Sequence, residues 1–287
     1  MEYGVTVSTR RSSDLIRERL GLCDTGTDNK FDMMLEHFQT IGSTQTYIKE
    51  SKLDWLHSDG DIPKVIFVSA EHQTLGRGKG GRKWFSDERS NCLALSAGFL
   101  VPESRLKDCP RLTQLLALAV MHVFPELNIL MKWPNDLLVD GKKVGGILAE
   151  LEPMNGPSYA VIIGVGLNLD IDQYHLDSLD SRWPASSLAR FLPPETKIDF
   201  QRTRDQICKQ FSQYISVFLT QNDSYLMNEI SRRQFLLNQE ILFRDGEKIV
   251  RGMHAGIDSN GGLKILSDSC LLTFHSGEIV LDNHSVS

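Results

Sequence analysis

Between Ala70 and Ser86 the chain reads Ala-Glu-His-Gln-Thr-Leu-Gly-Arg-Gly-Lys-Gly-Gly-Arg-Lys-Trp-Phe-Ser. Four cations (Arg77, Lys79, Arg82, Lys83) alternate with four glycines (Gly76, Gly78, Gly80, Gly81), and the aromatic pair Trp84 and Phe85 closes the run. Glycine lets backbone N–H groups approach an anion closely and the cations neutralise it, so the pattern suits a phosphate or carboxylate. The same composition also describes a solvated basic surface loop. Neither a G-x-x-x-x-G-K-[ST] phosphate loop nor a G-x-G-x-x-G opening an apolar helix is present.

Two further blocks lie downstream: Lys-Trp-Pro-Asn-Asp-Leu-Leu-Val-Asp-Gly-Lys-Lys-Val-Gly-Gly-Ile-Leu-Ala-Glu from Lys132 to Glu150, and Gly164-Val-Gly-Leu-Asn-Leu169. Ser43-Thr44-Gln45 lies upstream. In type and order these motifs resemble the catalytic domain of biotin-protein ligases, over roughly residues 38 to 284, and several separated motifs together are far more specific than any one alone. The resemblance implies a ligase that activates biotin with ATP to biotinyl-5'-AMP and passes the biotin to a lysine of a biotin carboxyl carrier domain of the acetyl-CoA carboxylase type.

It also implies a set of site residues. Biotin contacts fall on Ser43, Thr44, Gln45, Gln73, Arg77, Gly78, Lys79, Trp84, Lys143, Gly145 and Gly146. Nucleotide contacts fall on Lys79, Arg82, Lys83, Trp84, Asn135, Asp136, Lys143 and Asn168. Lys143, Lys79 and Arg77 form the catalytic group. Asp136 is the candidate contact for Mg²⁺ arriving with ATP, since hard cations take carboxylate oxygens. No tightly bound prosthetic group is expected.

Each residue has a chemical reading beside a structural one. Hydroxyls and an amide at a helix start suit a ureido ring with one acceptor oxygen and two N–H donors, but Ser-Thr before a helix is also a plain cap. The Gln73 amide both gives and accepts hydrogen bonds; a surface glutamine does neither to a ligand. Strand alternation points Lys143 and Val144 to opposite sides, so Lys143 can project into a cleft, although a hairpin lysine is ordinarily exposed. Gly145-Gly146 leaves bare strand where a ligand can lie flat, Gly164 and Gly166 admit a backbone or a flat ring, and Asn168 can bond adenine; a bulge explains such glycines equally well. Trp84 and Phe85 either stack on a ligand or fill core, and Asp136 either meets the metal or caps its own turn.

Three positions depart from the family pattern: Gln45 where asparagine is usual, Lys79 where arginine is common, and Asp282 where a basic residue usually reaches the nucleotide. An ammonium cannot make the planar two-pronged contact of a guanidinium.

The implied chemistry brings two anions together, and fixed cations lower that barrier. Acyl transfer from the adenylate to an amine requires no enzyme nucleophile, and no Ser/His/Asp or Cys/His grouping is recognisable. The glycine-rich run is expected to be mobile over residues 76 to 83 when empty.

Positioning these residues requires strands and caps. His37 to Ile41 reads as a strand, Ser43 or Thr44 caps a helix to His57, and Val65-Ile66-Phe67-Val68 is a central strand feeding the basic run. Strands are expected at 91–100, 129–131 and 159–169, and the Asp140-Gly141 turn makes a hairpin of 137–152. Helices are expected at 110–124, 199–219 and 224–236, with a shorter one at 186–192 and another at Ser13–Leu20. From Asn238 onward, short strands with Asp245-Gly246, Asp258 to Gly262 and Ser276-Gly277 turns read as a small barrel.

The expected fold is therefore α+β: a mixed β-sheet packed with helices, as in the biotin/lipoate ligase-like domain, plus a small C-terminal SH3-like β-barrel. The expected organisation is an N-terminal extension at 1–35, a catalytic domain at 36–237 and the small domain at 238–287. The stretch 1–35 is too short for the winged helix-turn-helix that makes some family members repressors.

Bulk composition sets outer limits. The 287 residues are 41% hydrophobic and 24% charged, with no apolar run near the ~20 residues of a membrane helix. A net charge of -6 argues against general nucleic-acid affinity and makes the basic run a local feature. Five cysteines without a C-x-x-C pair indicate neither a disulfide framework nor a zinc site. Together with the lack of a secretory signal this gives a cytoplasmic protein, with no nucleic-acid or membrane partner, acting as monomer or homodimer. A lipoate- or octanoate-transferring relative of the same fold and a non-catalytic biotin-sensing regulator are the alternative readings.

Overall fold

Val65-Ile66-Phe67-Val68 is apolar on both sides, and a strand buried on both faces belongs in the middle of a sheet. In the computed structural model, which describes residues 31–57, 63–86, 91–178, 183–220 and 223–280, all four of those residues are buried. They lie in β2 (Lys64–Gln73), inside a seven-stranded sheet of order β1-β2-β3-β7-β6-β5-β4. Its other strands are β1 (Asp32–Ile41), β3 (Asn91–Pro102), β4 (Leu130–Lys132), β5 (Asp136–Val139), β6 (Lys142–Pro153) and β7 (Ser158–Asp170). β1 runs parallel to β2 and every other neighbouring pair is antiparallel. The sheet is mixed, as expected.

Helices cover the two faces unequally. One face carries α3 (Pro110–Val123), α5 (Phe200–Leu219) and α6 (Ser224–Arg232) over Phe67, Leu95, Phe99, Ile163, Val165 and Leu167. An apolar stripe of the helix expected at 199–219 is what α5 buries: Ile207, Phe211, Ile215 and Phe218 are at most 1% exposed. The opposite face carries only α1 (Thr44–Ser51) and α2 (Leu53–His57), whose Ile48 and Leu56 pack on Ile66, Val68 and Ile162. Beyond them the sheet is left open for a ligand. A short α4 (Gln173–Asp177) and a 3-10 turn, Leu188–Phe191, lie between β7 and α5.

The structure differs from expectation at several element ends. β1 begins at Asp32 rather than His37, because Asp32 to His37 pairs in register with Lys64 to Ser69. The helix expected to run unbroken to His57 divides at Lys52, which leaves the helical region at φ -127°. The segment expected to be helical to Leu236 stops at Arg232, and Leu236 and Asn238 adopt left-handed φ of 60°. The helix expected at Ser13–Leu20 and residue Asp282 lie outside the described residues.

A second sheet follows, with order β11-β10-β9-β8-β12: β8 (Glu240–Asp245), β9 (Lys248–Ile257), β10 (Leu263–Ser267), β11 (Cys270–Phe274) and β12 (Glu278–Val280), all antiparallel. It is seated on the first sheet's core. The Gly261 carbonyl accepts from Gln114 Nε2 at 2.8 Å and from Trp133 Nε1 at 3.0 Å, and Trp133 tilts against Phe243 with ring centroids 5.7 Å apart. Among the described residues no helix is long and apolar enough to cross a membrane.

Candidate active site

The open part of the first sheet is floored by residues with little or no side chain. Register places Ala94 opposite Gly166 and Gly166 opposite Gly146, with Ser96 opposite Gly164 in the next row. Larger side chains there would fill the space. A Cβ on Gly164 would lie 2.6 Å from Ser96 Oγ, and one on Gly166 would lie 2.3 Å from Trp84 Cε2. Above this floor is a cavity of about 710 Å³.

The basic run forms one wall. After β2, residues Gly76 to Trp84 fold back as a small hairpin: Trp84 N–H donates to the Gly76 carbonyl at 3.0 Å and Gly78 N–H to the Arg82 carbonyl at 2.7 Å. A 3-10 turn, Lys79–Gly81, makes the tip, where Gly80 and Gly81 hold φ of 71° and 76°, the left-handed region that glycine adopts without a Cβ penalty. Arg77, Gly78, Lys79, Arg82, Lys83, Trp84 and Phe85 all line the cavity. Trp84 lies against bare Gly146 and Gly166. The flat ring that those glycines admit is therefore the protein's own indole.

Ser43, Thr44, Gln45 and Gln73 line the polar end. Ser43 is the cap expected for α1, accepting from Thr46 N–H at 3.4 Å. The Gln73 carbonyl oxygen accepts from Thr44 N–H at 2.8 Å and Thr44 Oγ1 at 3.1 Å, which directs the Gln73 amide N–H groups elsewhere. Because the Thr44 proton goes to Gln73, the 2.7 Å contact between Thr44 Oγ1 and Ser96 Oγ has Ser96 as donor. Gln45 reaches across the sheet and donates to the carbonyls of Leu148 (3.0 Å) and Ile162 (3.3 Å). The extra methylene relative to asparagine suits that tie.

Lys143 enters from the opposite wall. The β5–β6 hairpin turns at Asp140-Gly141, with φ of 47° and 72° as a primed turn requires. Register then shifts, since Leu138 pairs with Lys143 but Leu137 with Gly145. The extra residue is Val144, a bulge that puts Val144 and Gly145 on the helix-packed face and returns Gly146 to the cavity face. The expectation that Gly145 and Gly146 both offer bare backbone to a ligand is thus corrected for Gly145. It does not line the cavity, and a Cβ there would meet Leu167 at 2.7 Å and the Gly166 carbonyl at 2.9 Å.

The Lys143 backbone is held on its other edge too, its N–H donating to the Pro184 carbonyl at 2.7 Å and its carbonyl accepting from Ser186 N–H at 2.9 Å. Its ammonium pairs with Asp136 Oδ1 at 2.6 Å and sits 5.7 Å from the centroid of Trp84. The second Asp136 oxygen is 3.6 Å from Lys132 Nζ. Burial holds the Lys132 pKa below the ordinary lysine value, against the opposing pull of the Asp136 carboxylate. Asp136 does not line the cavity. With both oxygens turned to lysines, and no cluster of three metal-binding side chains among the described residues, the residues present do not fit a protein-held metal.

Asn135 and Asn168 line the cavity, each with its amide nitrogen engaged: Asn135 on the Ile147 carbonyl and Asn168 on the Ser186 carbonyl, both at 2.9 Å. Arg77 turns its guanidinium to Glu150, with contacts of 3.0 and 2.6 Å. Lys79 reaches the other way, its Nζ 3.5 Å from the Gly277 carbonyl in the turn between β11 and β12 and 5.9 Å from the Trp133 centroid. Ser96 and Glu150 escaped sequence reasoning. Ser96 had a signal, being one of the small residues at alternate positions (Ala94, Ser96, Gly98) of an otherwise apolar strand.

Comparison with known proteins matches this arrangement to others. Residues 38–168 match the model of the biotin/lipoate A/B protein ligase family, and residues 236–282 match the biotin protein ligase C terminal domain. The bifunctional ligase/repressor BirA of Escherichia coli is 26% identical over 248 residues, covering 84% of this chain and 72% of that protein. A biotin–[acetyl-CoA-carboxylase] ligase of Paracoccus denitrificans is 28% identical over 206 residues, covering 69% of this chain and 82% of that protein. Among solved structures, the biotin protein ligase of Aquifex aeolicus in complex with biotin and ATP is 25% identical, with a TM-score of 0.67 over 86% of this chain and 98% of that one.

Proposed function

We propose that this chain, which belongs to the biotin/lipoate A/B protein ligase family, uses the cavity under its cationic hairpin to activate biotin with ATP and to biotinylate a carrier protein. It is an ATP-dependent ligase with biotin and ATP as substrates, and Mg²⁺ comes in on the triphosphate. The observation that carries the reading is that Lys143 and the hairpin residues Arg77, Lys79, Arg82 and Lys83 line a single cavity.

In the first step a biotin carboxylate oxygen attacks the α-phosphorus of ATP, the bond to the β-phosphate oxygen breaks, and pyrophosphate leaves with biotinyl-5'-AMP formed. Carboxylate and phosphate repel each other until cations take up their charge, and such cations act most strongly when fixed before the reaction. Lys143 is fixed by Asp136 and by backbone bonds on both edges of its strand. We assign it the carboxyl oxygens, and we assign Lys79, Arg82 and Lys83 the phosphates. In the second step the amine of a carrier lysine attacks the acyl carbon, and the C–O bond to AMP breaks. The amine proton leaves to solvent, and Lys143 takes up the charge developing on the carbonyl oxygen.

The polar end favours biotin over an all-carbon acyl chain. Ser43, Thr44, Gln73 and Ser96 give a head group both donors and acceptors, which a ureido ring satisfies and an octanoyl chain leaves unpaired at a cost. The partner is a biotin carboxyl carrier domain, acting on the site of a monomer or homodimer. A reducing cytoplasm suits the free thiols of Cys109, Cys208 and Cys270.

The test is incubation with ATP, biotin and a biotin carboxyl carrier domain followed by avidin blotting. Labelling of the carrier lysine is expected. Pyrophosphate release with lipoate but not with biotin would move the chain to the lipoate branch, and biotin binding without ATP-dependent labelling would make it a sensor.

A further inference from the structure

The hairpin that walls the cavity is tied down on two sides, and the two ties use different cations. Its own backbone bonds, Trp84 N–H to Gly76 and Gly78 N–H to Arg82, close it into one hydrogen-bonded unit. On one side Lys79 reaches the Gly277 carbonyl in the turn before β12. On the other, Arg77 grips Glu150 through both terminal nitrogens, NH1 to Oε1 and NH2 to Oε2. Glu150 projects from β6 on the same face as Gly146 and Leu148, four residues beyond the glycine on which Trp84 rests.

A guanidinium engaged by a carboxylate in this two-pronged way has spent its best directed donors, and exchanging that partner for a substrate oxygen would open the hairpin rather than close it. Among the described residues, Arg82, Lys79 and Lys83 line the same cavity with no such carboxylate contact at hydrogen-bond distance. We propose that Glu150 is the docking residue for the hairpin, and that Arg77 acts through it as a positioning residue that keeps the hairpin closed over the activated acyl group instead of contacting that group itself. This inference rests on the adenylating reading of the site. It separates the jobs within one cationic run: Arg77 serves only the wall, Arg82 and Lys83 meet the anion, and Lys79 does both.

The Arg77 and Glu150 side chains are 42% and 27% exposed, so solvent screens the pair. A two-pronged surface pair of this kind changes an equilibrium by about three- to fivefold, not by orders of magnitude. The expected signature is correspondingly selective: faster escape of the intermediate with little change in the chemical step.

The test compares wild type, Glu150→Gln, and the exchange Arg77→Glu with Glu150→Arg. Amide hydrogen exchange of residues 76 to 84 in the ligand-free protein is measured first. About three- to fivefold faster exchange in Glu150→Gln, restored toward wild type in the charge exchange, supports the latch. Equal exchange in all three overturns it. The release rate of biotinyl-5'-AMP and the single-turnover rate of its formation are measured next. Release should quicken by about the same factor in Glu150→Gln while formation changes less than about twofold. A variant that loses formation rate and keeps its release rate would place Arg77 on the substrate and overturn the proposal. If wild type forms no adenylate yet the exchange difference stands, the adenylating reading fails and the latch survives as a property of the fold.

Discussion

The indole of Trp84 lies on the bare backbone of Gly166, so close that a methyl group added there would sit 2.3 Å from Cε2 and 2.6 Å from Cζ2 and Nε1. This contact fixes where the hairpin returns to the sheet. It also means that the glycine is needed by a residue about eighty positions away in sequence and adjacent in space. Small residues on a sheet face usually mark the close approach of something flat, and here that object belongs to the chain.

Gly166→Ala is therefore expected to displace Trp84 while the sheet stays paired. Overpacking of this kind costs about 1–3 kcal/mol; if it falls on the closed wall, biotin affinity drops roughly 5- to 150-fold at about 1.4 kcal/mol per factor of ten. Calorimetric titration of biotin into the variant is the measurement. Unchanged affinity would show that Trp84 has no part in holding the ligand.

The Lys143 ammonium and the Asp136 carboxylate, 2.6 Å apart, predict an ordered pair of effects. Lys143→Ala should lower turnover by more than ~100-fold, the scale for removing one fixed donor from a developing anion. Asp136→Asn should lower it less, since the lysine remains but loses its fixed position. If Asp136 acts through Lys143, the double variant is no slower than Lys143→Ala alone. Additive losses would instead give the carboxylate a contact of its own, such as the metal on ATP. Near-normal turnover in Lys143→Ala would remove the lysine from the mechanism.

Much of this site was legible because its chemistry is local. The Asp140-Gly141 turn, the Ser43 cap and the glycine–cation alternation each depend on neighbours in sequence, and each stands where the residue types place it. The second sheet was legible for the same reason, through its Asp-Gly and Ser-Gly turns. What escaped depends on pairing across the sheet. Simple alternation from Lys143 would put Gly145 on the cavity face and Gly146 away from it. The bulge at Val144 reverses this, and nothing in Lys-Lys-Val-Gly-Gly announces a register shift that is set by β5. Glu150 was invisible for a related reason: a lone glutamate at the end of a strand gains meaning only when an arginine more than seventy residues earlier folds against it. Asn135 and Asn168, nucleotide contacts by the family resemblance, line the cavity with their amide nitrogens on backbone carbonyls, a tie across the sheet that residue type does not announce.

Lys79 gives a prediction about retention of the intermediate. Its ammonium makes a 3.5 Å contact with the Gly277 carbonyl, a longer and less directed tie than a guanidinium forms in the same place. Lys79→Arg is expected to slow release of biotinyl-5'-AMP severalfold, with a smaller effect on its formation. A rapid-dilution chase of the preformed intermediate measures this, and equal or faster release from the arginine variant would discard the idea.

His254 is expected to couple the seating of the second sheet to pH. It is fully buried in β9, its Nδ1 bonds the Phe235 carbonyl at 3.1 Å, and its backbone pairs with Gln239 and Asn238 at the junction of the two bodies. Burial lowers its pKa from the ordinary 6.5, outweighing the backbone hydrogen bonds that raise it. The folded protein thus holds the ring neutral where the unfolded chain has begun to protonate it. More protons bound by the unfolded state means that stability rises with pH. The contribution is complete above about pH 6.5 and is lost as pH falls through the lowered value. His37, also lowered by burial, adds a loss of the same sign, so the test must be differential. His254→Asn keeps an N–H donor near the Phe235 carbonyl and removes the titration. Its melting temperature should fall less steeply than that of wild type between pH 6.5 and about pH 5, a window set by the unperturbed value. Parallel curves would show that protonation of this ring does not govern acid loosening of the junction.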